Sequence, residues 1–129
     1  MNNFSDKIKN ILVTGGSGFI GSALIRKILK ESNFKVYNLD KLGYASVKKN
    51  FDEFEISNQY QTLNVDLFNE IDTQKAIEIS KPDLVFHLAA ESHVDKSISG
   101  PKKFLESNVI GTYNLLQALL PYWESLPES

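Results

Sequence analysis

Ile11-Leu-Val-Thr-Gly-Gly-Ser-Gly-Phe-Ile-Gly21 decides the reading of this chain. A short apolar run ends in a glycine-rich turn, and a helical pattern begins at once. Gly15, Gly18 and Gly21 stand three apart. Glycine takes positive φ cheaply and lets a ligand come close to the backbone. The helix that follows aims its free N–H groups and positive dipole end at the turn, which makes an anion site. The reading is a dinucleotide pyrophosphate held on a strand–turn–helix. The alternative is an ordinary glycine-rich turn between strand and helix. The flanking elements, together with an acid further on, favour the nucleotide.

That acid is Asp40. It closes a second short apolar run about 20 residues after the glycine turn, the spacing at which a carboxylate can accept both ribose hydroxyls of an adenosine. A carboxylate there repels a 2′-phosphate, so NAD is expected over NADP. Lys41 beside it softens that preference. A solvated acid in a loop is the other reading of Asp40, and the spacing favours the ribose.

Around these two signals the chain alternates strand and helix. Strands are expected at 9–14, 35–39, 60–64 and 83–89. Helices are expected at 19–31 and 69–80, with a weak one at 46–54 and a long one framed by Pro101 and Pro121. In the first helix Ile20, Leu24 and Ile28 recur every four residues, beside Phe19, Ala23, Ile25 and Leu29, while Arg26, Lys27 and Lys30 lie toward the other side. Pro82 stops the helix before it. The run at 83–89 is nearly continuous in apolar residues, as a parallel strand covered on both faces should be. This alternation predicts an α/β fold, a Rossmann-like doubly wound parallel sheet of order 3-2-1-4 that is truncated after its fourth strand.

Bulk properties agree with an ordinary globular domain. The chain has 129 residues, 42% hydrophobic and 23% charged, with a net charge of −2. Nothing in that balance advertises a nucleic-acid partner. With no cysteine, disulfides and thiolate metal sites are excluded. No apolar run approaches the roughly 20 residues needed to span a bilayer. Residues 1–6 lack the apolar centre of a signal peptide, and a cytoplasmic location is expected.

Ligands of such sheets bind beyond the carboxyl ends of the strands. Asp66 follows the third strand there, where it is read either as a hydrogen-bond acceptor for the adenine amino group or as a helix cap. Ala89 and Ala90 end the fourth strand and are read either as room for a ribose or pyrophosphate, or as core packing. His87, Glu91, His93 and Asp95 have metal-ligand chemistry but not metal-ligand spacing, so they are read as polar residues of a strand-end loop and no metal is expected.

Four segments together resemble a known family. Thr14-Gly-Gly-Ser-Gly-Phe-Ile-Gly21 resembles the glycine turn of the extended short-chain dehydrogenase/reductase superfamily. Asp40-Lys-Leu-Gly-Tyr-Ala45, His87-Leu-Ala-Ala-Glu-Ser-His-Val-Asp-Lys-Ser-Ile98 and Phe104-Leu-Glu-Ser-Asn-Val-Ile-Gly-Thr-Tyr-Asn-Leu-Leu116 resemble the dTDP-glucose 4,6-dehydratases. The resemblance runs from Ile11 onward. It implies cofactor roles at Gly15, Gly18 and Gly21, with Phe19 and Ile20 meeting the pyrophosphate through backbone N–H groups. It places Asp40, Lys41, Leu42 and Gly43 around the adenosine ribose, and Asp66 and Leu67 beside the adenine. Leu88, Ala89, Ala90, Glu91 and Ser92 would line the middle of the cofactor, Ser92 would also touch the sugar nucleotide, and Ser107 would hydrogen-bond the cofactor. Gly43 stands where the family often has Thr, which removes a hydroxyl; Ser107 stands for another Thr and keeps one.

The implied activity is a lyase of nucleotide-sugar metabolism. It takes dTDP-glucose to dTDP-4-keto-6-deoxyglucose plus water, a step in deoxysugar biosynthesis, with NAD reduced and regenerated. The resemblance also implies a Tyr-x-x-x-Lys pair on a helix after a fifth strand, and an Asp-Glu pair beyond that strand. The chain carries Tyr37 with Lys41 and Tyr44 with Lys48, neither at the right place. Residues 1–129 are therefore read as the N-terminal part of a single NAD-binding Rossmann domain, without fifth and later strands or a substrate domain, and with no catalytic residue. The alternatives are a nucleotide-sugar 4-epimerase, against which residues 91–95 argue, and a non-catalytic nucleotide-binding module. An apolar fourth strand at a sheet edge predicts a homodimer or self-association through that edge. No membrane partner is expected.

Overall fold

The computed structural model describes residues 4–41, 58–90 and 100–128. The weak helix expected at 46–54 lies outside them. A single turn, α1 (Phe4–Lys7), leads into strand β1 (Asn10–Thr14). Helix α2 (Phe19–Glu31), strand β2 (Lys35–Asp40), strand β3 (Tyr60–Asn64), helix α3 (Glu70–Ser80) and strand β4 (Leu84–His87) follow. The final helical run opens as α4 (Pro101–Phe104), widens into a π-helical turn at Leu105–Ile110 and continues as α5 (Gly111–Ser125).

The four strands form one parallel sheet in the order β3-β2-β1-β4, as the alternation predicted. Period-two alternation divides its apolar side chains between two faces. Ile11, Val13 and Val36 pack with Ile25 and Leu29 of α2. Leu12, Tyr37, Leu39 and Leu63 pack with Ala76 and Ile77 of α3 and with Leu115 and Ala118 of α5. β1 and β2 are the two inner strands, and Leu12 and Val13 on β1 are fully buried.

At the opposite edge from the glycine turn, one side chain ties the sheet together. The Asp83 carboxylate accepts the backbone N–H groups of Lys9 at 2.8 Å and Asn10 at 2.9 Å, so the entries to β1 and β4 are held side by side.

The structure corrects several sequence-based boundaries. β1 begins at Asn10, and β2 runs one residue further, through Asp40. Asn69 is the N-cap of α3 rather than its first residue, and its side chain accepts the Asp72 N–H. β4 is shorter than 83–89, because β1 turns away after Thr14 and the ladder has no partner beyond His87. β4 is also half-buried rather than covered on both faces. Among the described residues it has a neighbouring strand on one side only.

In α2 the buried row is Ser22, Ile25 and Leu29, with Gly21. Ile25 and Leu29 of the apolar side read from the sequence are buried and Ile28 packs against them, while Phe19 and Ile20 at its start are exposed.

The last helix does not end at Pro121, which lies inside α5. Proline removes one backbone donor and leaves the Gln117 carbonyl without its helical partner. Both residues are exposed, so water can satisfy that carbonyl and the helix persists for another turn. Replacing Pro121 with Ala should therefore restore the missing bond and raise stability by about 1 kcal/mol or more. Urea denaturation of parent and variant measures this, and an unchanged or lower midpoint would contradict it.

Candidate functional site

The glycine turn leaves the carboxyl end of β1 where the chain's connections diverge: α2 leads to β2 on one side, and β4 lies on the other. Open α/β sheets bind ligands at such a switch point. The turn's shape depends on close backbone approach. Gly15 has φ +69, and a Cβ there would stand 2.7 Å from the Cα of Ala89. A Cβ on Gly21 would run into the Gly15 carbonyl oxygen and the Gly16 Cα. The turn is closed by the Gly15 N–H on the Leu39 carbonyl at 2.9 Å and the Gly18 N–H on the Gly15 carbonyl at 3.2 Å.

Gly18 caps α2 with its backbone alone, and no side chain caps the helix. The first intrahelical bond is Ser22 N–H to the Gly18 carbonyl. The N–H groups of Phe19, Ile20 and Gly21 thus have no intrahelical acceptor and open toward the site. The side chain of Phe19 is 94% exposed at this mouth. The backbone, not the side chain, is what these positions present to an anion.

Asp40 stands at the end of β2, half-buried, with Oδ2 accepting the Ser17 N–H at 3.1 Å. The acid and the glycine turn are thereby joined directly. Lys41 follows it, exposed. Asp66 is neither cap nor free tail: its Oδ1 accepts the Phe68 N–H at 3.0 Å, which makes a tight turn after β3. Leu67 beside it is buried against α5. Leu88 and Ala90 are exposed at the end of β4, and Ala89 between them is half-buried. Ser107 lies in the π-helical turn, half-buried. The structure brings Gly15, Gly18, Phe19, Ile20, Gly21, Asp40, Leu88 and Ala89 to one edge of the sheet. Leu42, Gly43, Glu91 and Ser92 lie outside the described residues, as do His93 and Asp95.

Sequence reasoning missed the buried polar side chains beneath this edge. Asn38 is fully buried in β2, and its Nδ2 donates to Ser17 Oγ at 3.1 Å and to Tyr60 Oη at 3.0 Å. It stiffens the underside of the glycine turn. Asn114 donates from Nδ2 to the carbonyls of Leu67 at 2.8 Å and Phe68 at 3.1 Å, which fixes the loop that carries Asp66 to α5. His87 binds Thr14 Oγ1 through Nδ1 at 2.6 Å and Thr112 Oγ1 through Nε2 at 2.8 Å. Both ring nitrogens are engaged by hydroxyls. The available signal was a polar residue inside an apolar strand, which must find a partner when buried. The partner's identity, up to 73 positions away, was not in the local pattern.

A model of the family described as GDP-mannose 4,6 dehydratase matches residues 12–126. The chain belongs to this family. Among curated relatives, the dTDP-glucose 4,6-dehydratase of Salmonella typhimurium is 46% identical over 118 residues, or 92% of this chain and 33% of its own. That of Haemophilus influenzae is 48% identical over 120 residues, 93% of this chain and 36% of its own. The chain thus spans about a third of the length of these relatives. Of solved structures, the dTDP-glucose 4,6-dehydratase of Streptomyces venezuelae with NAD bound has a TM-score of 0.78 at 36% identity, over 88% of this chain and 36% of that one. The UDP-glucose 4-epimerase of Thermus thermophilus complexed with NAD has a TM-score of 0.76 at 32% identity, over 88% of this chain and 34% of that one.

Two predictions follow from the buried polar groups. Asn114→Ala strips the donor from two carbonyls and should cost about 1–3 kcal/mol in chemical denaturation; a loss within error of zero would contradict the bond's role. Burial holds the His87 imidazole below its ordinary pKa. The folded state then binds this proton less readily than the unfolded one, so stability is complete above about pH 6.5 and falls as the pH drops below it. His87→Gln should flatten that part of the stability–pH curve, and an unchanged slope between about pH 6.5 and the folded pKa would refute it.

Proposed function

We propose that this chain is the NAD-binding portion of a nucleotide-sugar dehydratase, whose whole-protein reaction is dTDP-glucose to dTDP-4-keto-6-deoxyglucose plus water. The observation that carries the proposal is the convergence at one sheet edge of a helix start with no side-chain cap, a glycine turn with no room for a Cβ at Gly15, Gly16 or Gly21, and the Asp40 carboxylate. The dehydratases that match at 46% and 48% identity select the class. Epimerase-like structures share the fold and make 4-epimerisation the second reading.

The residues present suit the cofactor. Free N–H groups at Phe19, Ile20 and Gly21 would hold a pyrophosphate, and the dipole of α2 adds to them. Gly15, Gly18 and Gly21 would let it reach the backbone. Asp40, Lys41, Leu42 and Gly43 would surround the adenosine ribose, with the Asp40 carboxylate accepting its hydroxyls. Asp66 and Leu67 would flank the adenine. Leu88, Ala89, Ala90, Glu91, Ser92 and Ser107 would line the remainder, and Ser92 would also meet the sugar nucleotide. Bound NAD supplies a hydride acceptor that is reduced and then regenerated.

No residue of this chain is proposed as the base. Tyr37 is buried in β2 at 6% exposure, so its pair with Lys41 has no helical geometry; Tyr44 and Lys48 lie outside the described residues. The reading includes a cytoplasmic location and self-association, as a homodimer or through the β4 edge. Among the described residues no helix is long and apolar enough to cross a membrane.

Calorimetry should show NAD binding more tightly than NADP. Asp40→Ala should narrow the gap by weakening NAD while relieving repulsion of the 2′-phosphate. Equal affinity of the parent chain for the two cofactors would sink the assignment.

A further inference from the structure

We propose that Thr14, His87 and Thr112 form a one-directional hydrogen-bond relay that holds the Leu88–Ala89 backbone against the glycine turn, and that His87 is a positioning residue for NAD rather than a group that meets it. The role in NAD binding rests on the reading above; the relay itself rests on hydrogen-bond counting.

Each hydrogen in the relay is assigned from its neighbours. The Thr112 hydroxyl is 2.8 Å from the Asn108 carbonyl, which can only accept, so its one hydrogen points there. Toward His87 it must then accept, and Nε2 carries the ring hydrogen. At the other end, Thr14 Oγ1 accepts the Ala89 N–H at 3.1 Å and shares the Leu88 N–H, also at 3.1 Å, with the Thr14 carbonyl. With two N–H groups directed at this oxygen, its own hydrogen goes to Nδ1 at 2.6 Å. The two ends independently require the same neutral tautomer. An imidazolium would have no acceptor at Nδ1, and burial, which pushes the His87 pKa down, acts in the same direction.

The relay does work that the strand ladder cannot. β1 ends at Thr14 because Gly15 turns away, and the last ladder bond is Leu88 N–H to the Thr14 carbonyl at 3.1 Å. The Ala89 N–H comes after it, and its acceptor is the Thr14 hydroxyl. The side chain of Thr14 thus extends β1's pairing by one residue, at the point where Ala89 touches Gly15. His87 fixes the rotation of that hydroxyl, and Thr112 fixes the ring. Thr112 reaches it from the first turn of α5, directly after the π-helical turn, and π-helical turns recur at functional sites.

The test uses the 129-residue chain labelled with 15N. Long-range proton–nitrogen spectra should show a protonated Nε2 and a bare Nδ1 on His87. Thr14→Val should speed amide exchange at Ala89 by about tenfold or more and weaken NAD by a similar factor. Thr14→Ser, which keeps the hydroxyl, should bring both back. Thr112→Val, at a half-buried position, leaves the Thr14 bonds possible and removes only the ring's anchor. It should give a smaller change of the same sign in both readouts, together with a mixed tautomer. An Nδ1–H tautomer in the parent, or parent-like Ala89 exchange in Thr14→Val, would overturn the relay. Parent-like NAD affinity alongside fast Ala89 exchange would overturn its role as a positioning device. If the parent chain fails to bind NAD, the reading of the function falls, and the tautomer and exchange data judge the relay by themselves.

Discussion

The carboxyl edge of the sheet is organised by how near the backbone leaving β1 comes to the backbone leaving β4. A Cβ on Gly15 would stand 2.7 Å from the Ala89 Cα, a separation side chains do not tolerate. Because that atom is missing, β1 can turn directly into the loop before α2, and the end of β4 can close over it. A larger residue would force either the loop outward or β4 away. Either shift would move the free N–H groups of α2 relative to Asp40 and Ala89. The same proximity explains why the ladder of the fourth strand ends just after His87: the Leu88 N–H is shared between the Thr14 carbonyl and hydroxyl, and the Ala89 N–H reaches only the hydroxyl.

Local features carried most of what was legible in the sequence. The strand–turn–helix from Asn10 to Glu31 depends on neighbours in the chain, so glycines, apolar run and amphipathic helix could be read directly. Asp40 could be placed because it ends a short strand one crossover later. The sheet order followed from alternation and the rules of parallel connection. The apolar side of α2 was legible, but its residues fill two adjacent rows, and periodicity alone does not say which row meets the sheet. The glycine turn decides, by bringing Gly21 and Ser22 inward beside Gly15 and Gly16. Pro121 was read as the end of the helix, yet it lies inside α5, where the carbonyl it orphans at Gln117 is exposed to water.

The polar framework was not legible, because its bonds join distant positions. Asn38 meets Ser17 and Tyr60, Asn114 meets Leu67 and Phe68, and His87 meets Thr14 and Thr112. Each of these side chains sits within an apolar element, where burial without a partner would cost about 1–3 kcal/mol. A lone polar letter in such a run signals that a partner exists and nothing about where it lies. Even in the folded chain the accounting is incomplete at one atom, the buried Asn38 Oδ1, which has no partner among the described residues. It faces Gly16, where a Cβ would run into it. The space beneath the turn is therefore shaped by a polar atom as well as by an absent methyl.

These polar bonds and the apolar core have different consequences for the site. The two apolar clusters fix the sheet between α2 on one face and α3 with α5 on the other, but apolar contacts are tolerant of small slides. Hydrogen bonds with saturated donors and acceptors are not, since a slide of a few tenths of an ångström leaves a buried group unmatched. Thr14 lies at the end of an inner strand, and its hydroxyl makes three such bonds at once. Asp40 ties the loop to β2 through Ser17, while Asn114 ties the loop after β3 to α5. Together they set the relative position of the four strand ends to a tolerance that core packing alone would not supply. A dinucleotide spanning β3, β2, β1 and β4 in turn would need that tolerance, because its two halves are read by loops that share no covalent neighbour.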